Sequence, residues 1–265
     1  MPLPAPGPDR TALVTGASQG IGAEIARVLS LQGHHVTLVA RSTEKLKALA
    51  DDLDNADVIA LDLADRAGRA SLLDQIAKRG RVVDILVNNA GLSTLGPVSK
   101  SDPSAELNMI EIDVAAVSDL CSRFLPGMVE RRRGAVLNVA LTASFQPLPG
   151  QAGYGAAKAF VLSYTQSLAG ELRGTGVTAT TLCPGPVHTG FGERAGFSEE
   201  DAEAALPAVM WVTAEDVAKK AVEGMAKGRL VVIPGRINRA AAALSQVTPR
   251  SLLLPILAKN HPGLP

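Results

Sequence analysis

The sequence predicts one doubly wound α/β domain, a parallel sheet with helices on both faces. Three observations predict it. Short β-branched runs alternate along the chain with longer segments of helical periodicity. Those runs are nearly all apolar, as strands are when helices cover both sides of a sheet. No fixed-period repeat and no Gly/Ser linker divides the 265 residues, so a single domain is expected over 1–265.

The elements follow in order. Residues 12–14 form the first apolar run, and a helix over 21–31 follows a glycine-rich loop. The runs at 36–39 and 58–61 are separated and followed by helical segments at 43–52 and 66–78. A fourth run at 85–87 leads to a helix over 113–125, a fifth at 135–139 to a helix over 154–168. Both helices carry apolar residues on more than one face, which suits burial against a second subunit. Runs at 177–182 and 230–233 flank a helix over 217–226. Two segments break the alternation. Residues 190–212 place glycines before an acidic helix start, which fits either a flap over a pocket or a plain surface excursion. The tail over 245–265 holds four prolines after position 248 and an apolar patch at 252–257. Six residues are too few to span a bilayer. The patch is expected to pack on the domain or on a neighbouring subunit, with a peripheral membrane contact as the alternative.

Composition narrows the function. Hydrophobic residues make up 46% and charged residues 20%, as in ordinary globular proteins. Twenty-six basic residues balance twenty-six acidic ones, so overall charge predicts neither nucleic acid nor an acidic surface as partner. Cys121 and Cys183 lack metal-ligand spacing, which predicts no metal site and a reducing compartment. The proline-rich start has no apolar signal core, and no stretch approaches the ~20 apolar residues of a membrane helix. A cytoplasmic protein is expected.

After the first run comes Thr-Gly-Ala-Ser-Gln-Gly-Ile-Gly at 15–22, leading directly into a helix. Gly16 permits a tight turn, Gly20 lets backbone approach a pyrophosphate, and Gly22 lets the helix pack closely against the sheet. The helix N-terminus offers unpaired N–H groups and partial positive charge to the phosphates. Together these predict a dinucleotide-binding, Rossmann-type domain. At the end of the second run, Ala40 supplies no carboxylate for a ribose hydroxyl, whereas Arg41 and Ser42 supply a guanidinium and a hydroxyl. NADP is therefore favoured over NAD.

Tyr154 and Lys158 lie four residues apart in Tyr-Gly-Ala-Ala-Lys and share one helix face. An ammonium one turn from a phenol is expected to lower its pKa toward neutrality. With these motifs in hand, the chain resembles the short-chain dehydrogenase/reductase family over essentially its whole length. The matching segments are 15–22, Asp62-Leu63, Asn-Asn-Ala-Gly at 88–91, 154–158, and Pro-Gly-Pro-Val-His-Thr at 184–189. The resemblance implies that Gly16, Ser18, Gln19, Gly20, Ile21, Gly22, Arg41, Asp62, Leu63, Asn89, Ala90 and Gly91 line the ADP half of the cofactor. It places Pro184, Gly185, Val187 and Thr189 by the nicotinamide. Tyr154 and Lys158 would serve both cofactor and catalysis. A wider pattern, including Phe-Leu-Pro-Gly-Met at 124–128 and Phe-Gln-Pro-Leu-Pro-Gly at 145–150, looks like family reductases with unassigned or lipid-like substrates.

Two positions depart from the family pattern. The catalytic serine expected thirteen residues before the tyrosine is Leu141, which cannot hydrogen-bond a carbonyl. Thr142 and Ser144 are nearby hydroxyls, and Ser144 is the better substitute. The family's helix asparagine is matched by Asp113, whose backbone carbonyl is kept and whose charge can pair with Lys158. Three functions follow in order. The first is an NADP(H)-dependent oxidoreductase acting on an apolar carbonyl or secondary alcohol, assembled as a homodimer or homotetramer. The second is a dinucleotide-binding sensor or scaffold with weak or no catalysis, motivated by Leu141. A methyltransferase comes last, because it would leave 154–158 and 88–91 without a role.

Overall fold

The computed structural model describes residues 3–190, 207–259 and 264. Seven strands form one sheet: β1 (Arg10–Thr15), β2 (Val36–Ala40), β3 (Ala56–Ala60), β4 (Val82–Asn88), β5 (Gly134–Val139), β6 (Val177–Leu182) and β7 (Val231–Val232). Their order is β3-β2-β1-β4-β5-β6-β7, and each neighbouring pair is parallel. Each of the seven predicted runs is a strand, with ends shifted by a few residues. The helices are α1 (Gly20–Leu31), α2 (Thr43–Asp51), α3 (Arg66–Ala77), α4 (Pro103–Ile110), α5 (Ala116–Glu130) and α6 (Ala152–Glu171). Three more follow: α7 (Ala214–Ala226), α8 (Arg236–Val247) and α9 (Arg250–Lys259).

Successive strand residues point to opposite faces, so each apolar strand feeds two cores. Ala12, Val14, Leu38 and Val87 pack against Ile25 and Leu29 of α1 and Val222 and Met225 of α7. Leu13, Val39, Leu86 and Val136 pack against Leu72 of α3, Leu120 and Phe124 of α5, and Leu168 of α6. Helix starts follow short polar caps. Asp65 accepts the N–H of Ala67 at 3.0 Å before α3, and Asp102 accepts that of Ser104 at 2.9 Å before α4.

The helix predicted to begin at residue 113 begins earlier. It starts at Pro103 and passes through a π-helical turn, Glu111–Ala115, before α5. The wider turn carries an extra residue and rotates Asp113 into the interior, where it has no exposed surface. The sheet order reverses between β1 and β4, and a crevice opens beyond their carboxyl ends. Of the predicted flap over 190–212, residues 191–206 lie outside the described residues. Val212 bridges Val187, and Ala208–Met210 form a short turn. The patch at 252–257 belongs to α9; 260–263 and 265 of the tail lie outside the described residues.

Candidate active site

A cleft of about 1010 Å³ runs over the carboxyl ends of β1, β4, β5 and β6. Its floor at the β1 end is the glycine loop. Gly16 and Gly20 hold φ of +63° and +60°, which glycine adopts without strain. A Cβ on Gly22 would run into the Asn89 side chain and the Gly16 carbonyl. The third glycine therefore lets α1 pack closely against the loop and the β4 end, behind the residues that line the cleft. Thr15 and Asn89 tie the loop to the β4 end. The Thr15 hydroxyl accepts the N–H groups of Asn89 and Ala90 at 3.0 and 3.2 Å. The Asn89 amide donates to the carbonyls of Thr15 and Gly16 at 3.1 and 3.2 Å. Helix α1 begins beyond Gln19 with no side-chain cap on its first N–H groups. That leaves donors and dipole facing the cleft, as a pyrophosphate requires.

The far wall beyond β2 carries two cations. Arg41 is exposed along the cleft, and Lys45, from the first turn of α2, joins it there. The Lys45 ammonium donates to the Gln19 side chain at 3.0 Å, bridging α2 to the glycine loop. Sequence reasoning missed Lys45, because only the turn of α2 back over residue 19 brings it to Arg41. Glu44 lines the same end, its carboxylate 3.4 Å from the Ser42 hydroxyl.

The reactive group sits opposite. Lys158 is buried, its Nζ 2.9 Å from Asp113 Oδ2, 3.3 Å from the Val139 carbonyl and 5.6 Å from the Tyr154 ring centre. Asp113 Oδ1 accepts the Leu92 N–H at 2.7 Å. Burial pushes the Asp113 carboxyl above its ordinary range, against the pull of Lys158 and that N–H. Tyr154 shifts opposite to expectation. Burial, seconded by the Asp113 charge, pushes its phenol above the ordinary value. Beneath, Asn88 donates to Asn138 at 2.8 Å and Asn138 to Thr165 at 2.9 Å. This buried ladder fixes α6, and with it Tyr154 and Lys158, against β4 and β5.

Leu141 packs beside Tyr154, Met109 and Leu148, and lines the cleft. Ser144 does not replace the missing serine. It is buried, and its hydroxyl accepts the Leu141 N–H at 3.1 Å to close the turn Thr142–Phe145. Thr142 and Gln151 face the cleft instead, and Gln151 donates to Ser93 at 2.6 Å. Beyond Leu141 the wall is mostly apolar, with Leu148, Met210, Trp211, Ile256 and Leu257 beside the amide of Gln146.

The fold thus gathers Gly16, Ser18, Gln19, Gly20, Ile21, Arg41, Asp62, Leu63, Asn89, Ala90, Gly91, Tyr154, Lys158, Pro184, Gly185, Val187 and Thr189 around one cleft. Asp113 lies behind Lys158, reaching the cleft only through it. Uncapped α1 donors, a glycine floor and two cations at one end match the groups a phosphorylated dinucleotide presents.

A family model described as short chain dehydrogenase matches residues 10–200. An NADP-dependent 3-hydroxy acid dehydrogenase of Salmonella typhi is 37% identical over 216 residues, covering 76% of this chain and 87% of that protein. Among solved structures, a short-chain dehydrogenase from Sphingobium yanoikuyae in complex with NADPH has a TM-score of 0.78 at 29% identity. It covers 91% of this chain and 97% of its own. A serine dehydrogenase complexed with NADP+ has a TM-score of 0.73 at 36% identity, with 79% and 86% covered.

Proposed function

The chain belongs to the short-chain dehydrogenase family, and from that membership we propose that it is an NADP(H)-dependent oxidoreductase of apolar ketones, aldehydes or secondary alcohols. The observation that carries the reading is that Tyr154 and Lys158 share one cleft with the glycine loop. Gly16, Gly20 and the start of α1 would hold the pyrophosphate, Arg41 and Lys45 the ribose phosphate, and Gly185 to Thr189 the nicotinamide end. The cofactor, when bound, supplies the hydride for the substrate carbon. Tyr154 hands its proton to the substrate oxygen. A phenol kept protonated by burial suits that step, because an alkoxide is a stronger base than a phenolate. Lys158, anchored by Asp113 and the Val139 carbonyl, is aimed at the same oxygen and at the ribose.

The relatives named for 3-hydroxy acids would have this chain bind a carboxylate. The wall argues for a different substrate class. Among the described residues, the cations lining the cleft are Arg41 and Lys45 at the ribose-phosphate end and Lys158, which is paired with Asp113. An uncharged carbonyl fits the end beyond Leu141, where a carboxylate would give up its hydration for the neutral side chains of Thr142, Gln146 and Gln151 and no unpaired cation. Purified protein with NADPH should turn over bulky apolar ketones in preference to 3-oxo acids. No turnover across ketones, aldehydes and quinones would sink the reading. Exposed Leu107 and Ile110 of α4 and Phe160 of α6 support a homodimer or homotetramer.

Replacing both Arg41 and Lys45 by alanine is expected to weaken NADPH binding about 10²- to 10⁴-fold and leave NADH unchanged, since each hydrogen bond to a charged group contributes about 1.5–3 kcal/mol. Fluorescence titration with both cofactors reads this directly.

Leu141 separates active reductase from weak dinucleotide binder. Restoring a donor with Leu141→Ser is expected to change kcat/KM less than about tenfold, because the wall around Tyr154 is built on an apolar side chain. A gain of about 10²–10³, the usual worth of one oxyanion donor, would favour the weak-binder reading.

A further inference from the structure

Helix α8 is amphipathic in the unusual sense. It buries Asn238, Ala242 and Ser245, and turns Ile237, Leu244 and Val247 outward. Positions 237, 240, 244 and 247 make a single stripe at helical spacing, so the outward apolar residues are contiguous along the helix. Leu244 is 65% and Val247 77% exposed. After Pro249 the chain continues as α9, which buries none of its side chains and exposes Leu252, Leu254 and Ile256. Two consecutive helices thus display large apolar groups to water, at a cost that an intended partner removes.

The charge along this stretch of sequence is one-sided, although the whole chain is neutral. From residue 224 to 265 the sequence contains Lys227, Arg229, Arg236, Arg239, Arg250 and Lys259, and no aspartate or glutamate. Among the described residues no carboxylate pairs with Arg236, Arg239, Arg250 or Lys259. All four are exposed on α8 and α9. Arg250 donates to the carbonyls of Ser245 and Phe145, but an apolar stripe flanked by cations without carboxylate partners is the pattern of a helix lying in a membrane interface, with its apolar groups among acyl chains and its cations among anionic headgroups. The same helices reach the cleft: Ala241, Ala242, Ile256 and Leu257 line its apolar end.

We propose that α8 and α9 form a docking surface for an anionic lipid bilayer, placing the apolar mouth of the cleft at the membrane. The docking itself does not depend on the reductase reading. Only the delivery of an apolar substrate from the bilayer rests on it.

Flotation with vesicles tests the docking without any turnover. The full chain, saturated with NADPH, should float with vesicles of phosphatidylcholine mixed with phosphatidylglycerol. It should stay below with phosphatidylcholine alone. Arg236→Gln and Arg239→Gln should each lower binding about fivefold at low salt, as expected for about 1 kcal/mol per cation near an anionic surface. Leu244→Asp with Val247→Asp should lower it by at least about tenfold, since each apolar side chain contributes well over 1 kcal/mol when buried. The arginine variants alter no apolar packing, so a folding failure of the aspartate variant still leaves a readout. Equal binding to both vesicle types, no binding, or unchanged binding by the arginine variants overturns the proposal. So does light scattering in which the aspartate variant splits a dimer, because the face would then be covered by a second copy.

Discussion

Tyr154→Phe is expected to lower kcat with NADPH about 10²–10⁴-fold, the range that positioned general acids contribute. The aromatic ring stays, and with it the packing against Met109, Ala157 and Leu141, so the variant should melt near the parent temperature and bind NADPH equally well. Loss is confined to the proton. Burial raises the phenol's pKa, so in the parent it stays protonated through neutral pH and serves as the acid of the reductive direction. The Leu141 substitution makes this phenol more important than in a site with a serine. No hydroxyl from Ser144 reaches the cleft, since Leu141 N–H holds it. A Tyr154→Phe enzyme that kept its kcat to within about tenfold would place the donor elsewhere, with Thr142 and Gln151 the groups to test next.

Much of this arrangement was legible in the residues. Strands buried on both faces advertise themselves as short apolar runs, so β1 to β7 were readable apart from their ends. Gly16, Gly20, Tyr154 and Lys158 were readable because glycine placement and an i,i+4 pair are local geometry. What was not readable depended on distant chain. The pairing of Asp113 with Lys158 was readable from its place in the family pattern, but the π turn that carries Asp113 inward was not, because nothing in 109–117 distinguishes it from ordinary helix. The upward shift of Tyr154 comes first from its burial, which the residues do not display, and only second from the Asp113 charge. Lys45 required the position of α2 over Gln19. Ser144 was chosen by proximity in sequence, whereas its hydroxyl is consumed by the backbone three residues before it. Ile256 and Leu257 line the same cleft as Leu141 from more than a hundred residues further along the chain. Overall neutrality concealed the one-sided charge of 224–265.

The Asp113–Lys158 pair sets the second large effect. Lys158→Met removes the cation from a carboxylate with no exposed surface, leaving it, among the described residues, the Leu92 N–H at 2.7 Å as partner. Breaking one side of a buried pair costs about 3–5 kcal/mol, a large share of the stability of about 5–15 kcal/mol typical of a folded domain. The loss has a pH signature. Asp113 is already above its ordinary value of 3.8 in the parent, through burial, and without Lys158 it rises further. The native state of the variant then binds a proton that the unfolded chain has released at pH above 3.8. Stability therefore falls as pH rises from about 4 toward neutrality, the reverse of the usual carboxylate behaviour. Asp113→Asn added to Lys158→Met should recover most of the loss and flatten that dependence, since the amide oxygen still accepts from Leu92 and carries no charge. Denaturant titrations of the three proteins at several pH values measure this. If Lys158→Met alone were as stable as the parent at neutral pH, the pair would not be an ion pair in the folded state. Asp113 would then be protonated beside Lys158, and the anchoring of the ammonium toward the substrate oxygen would have to come from the Val139 carbonyl.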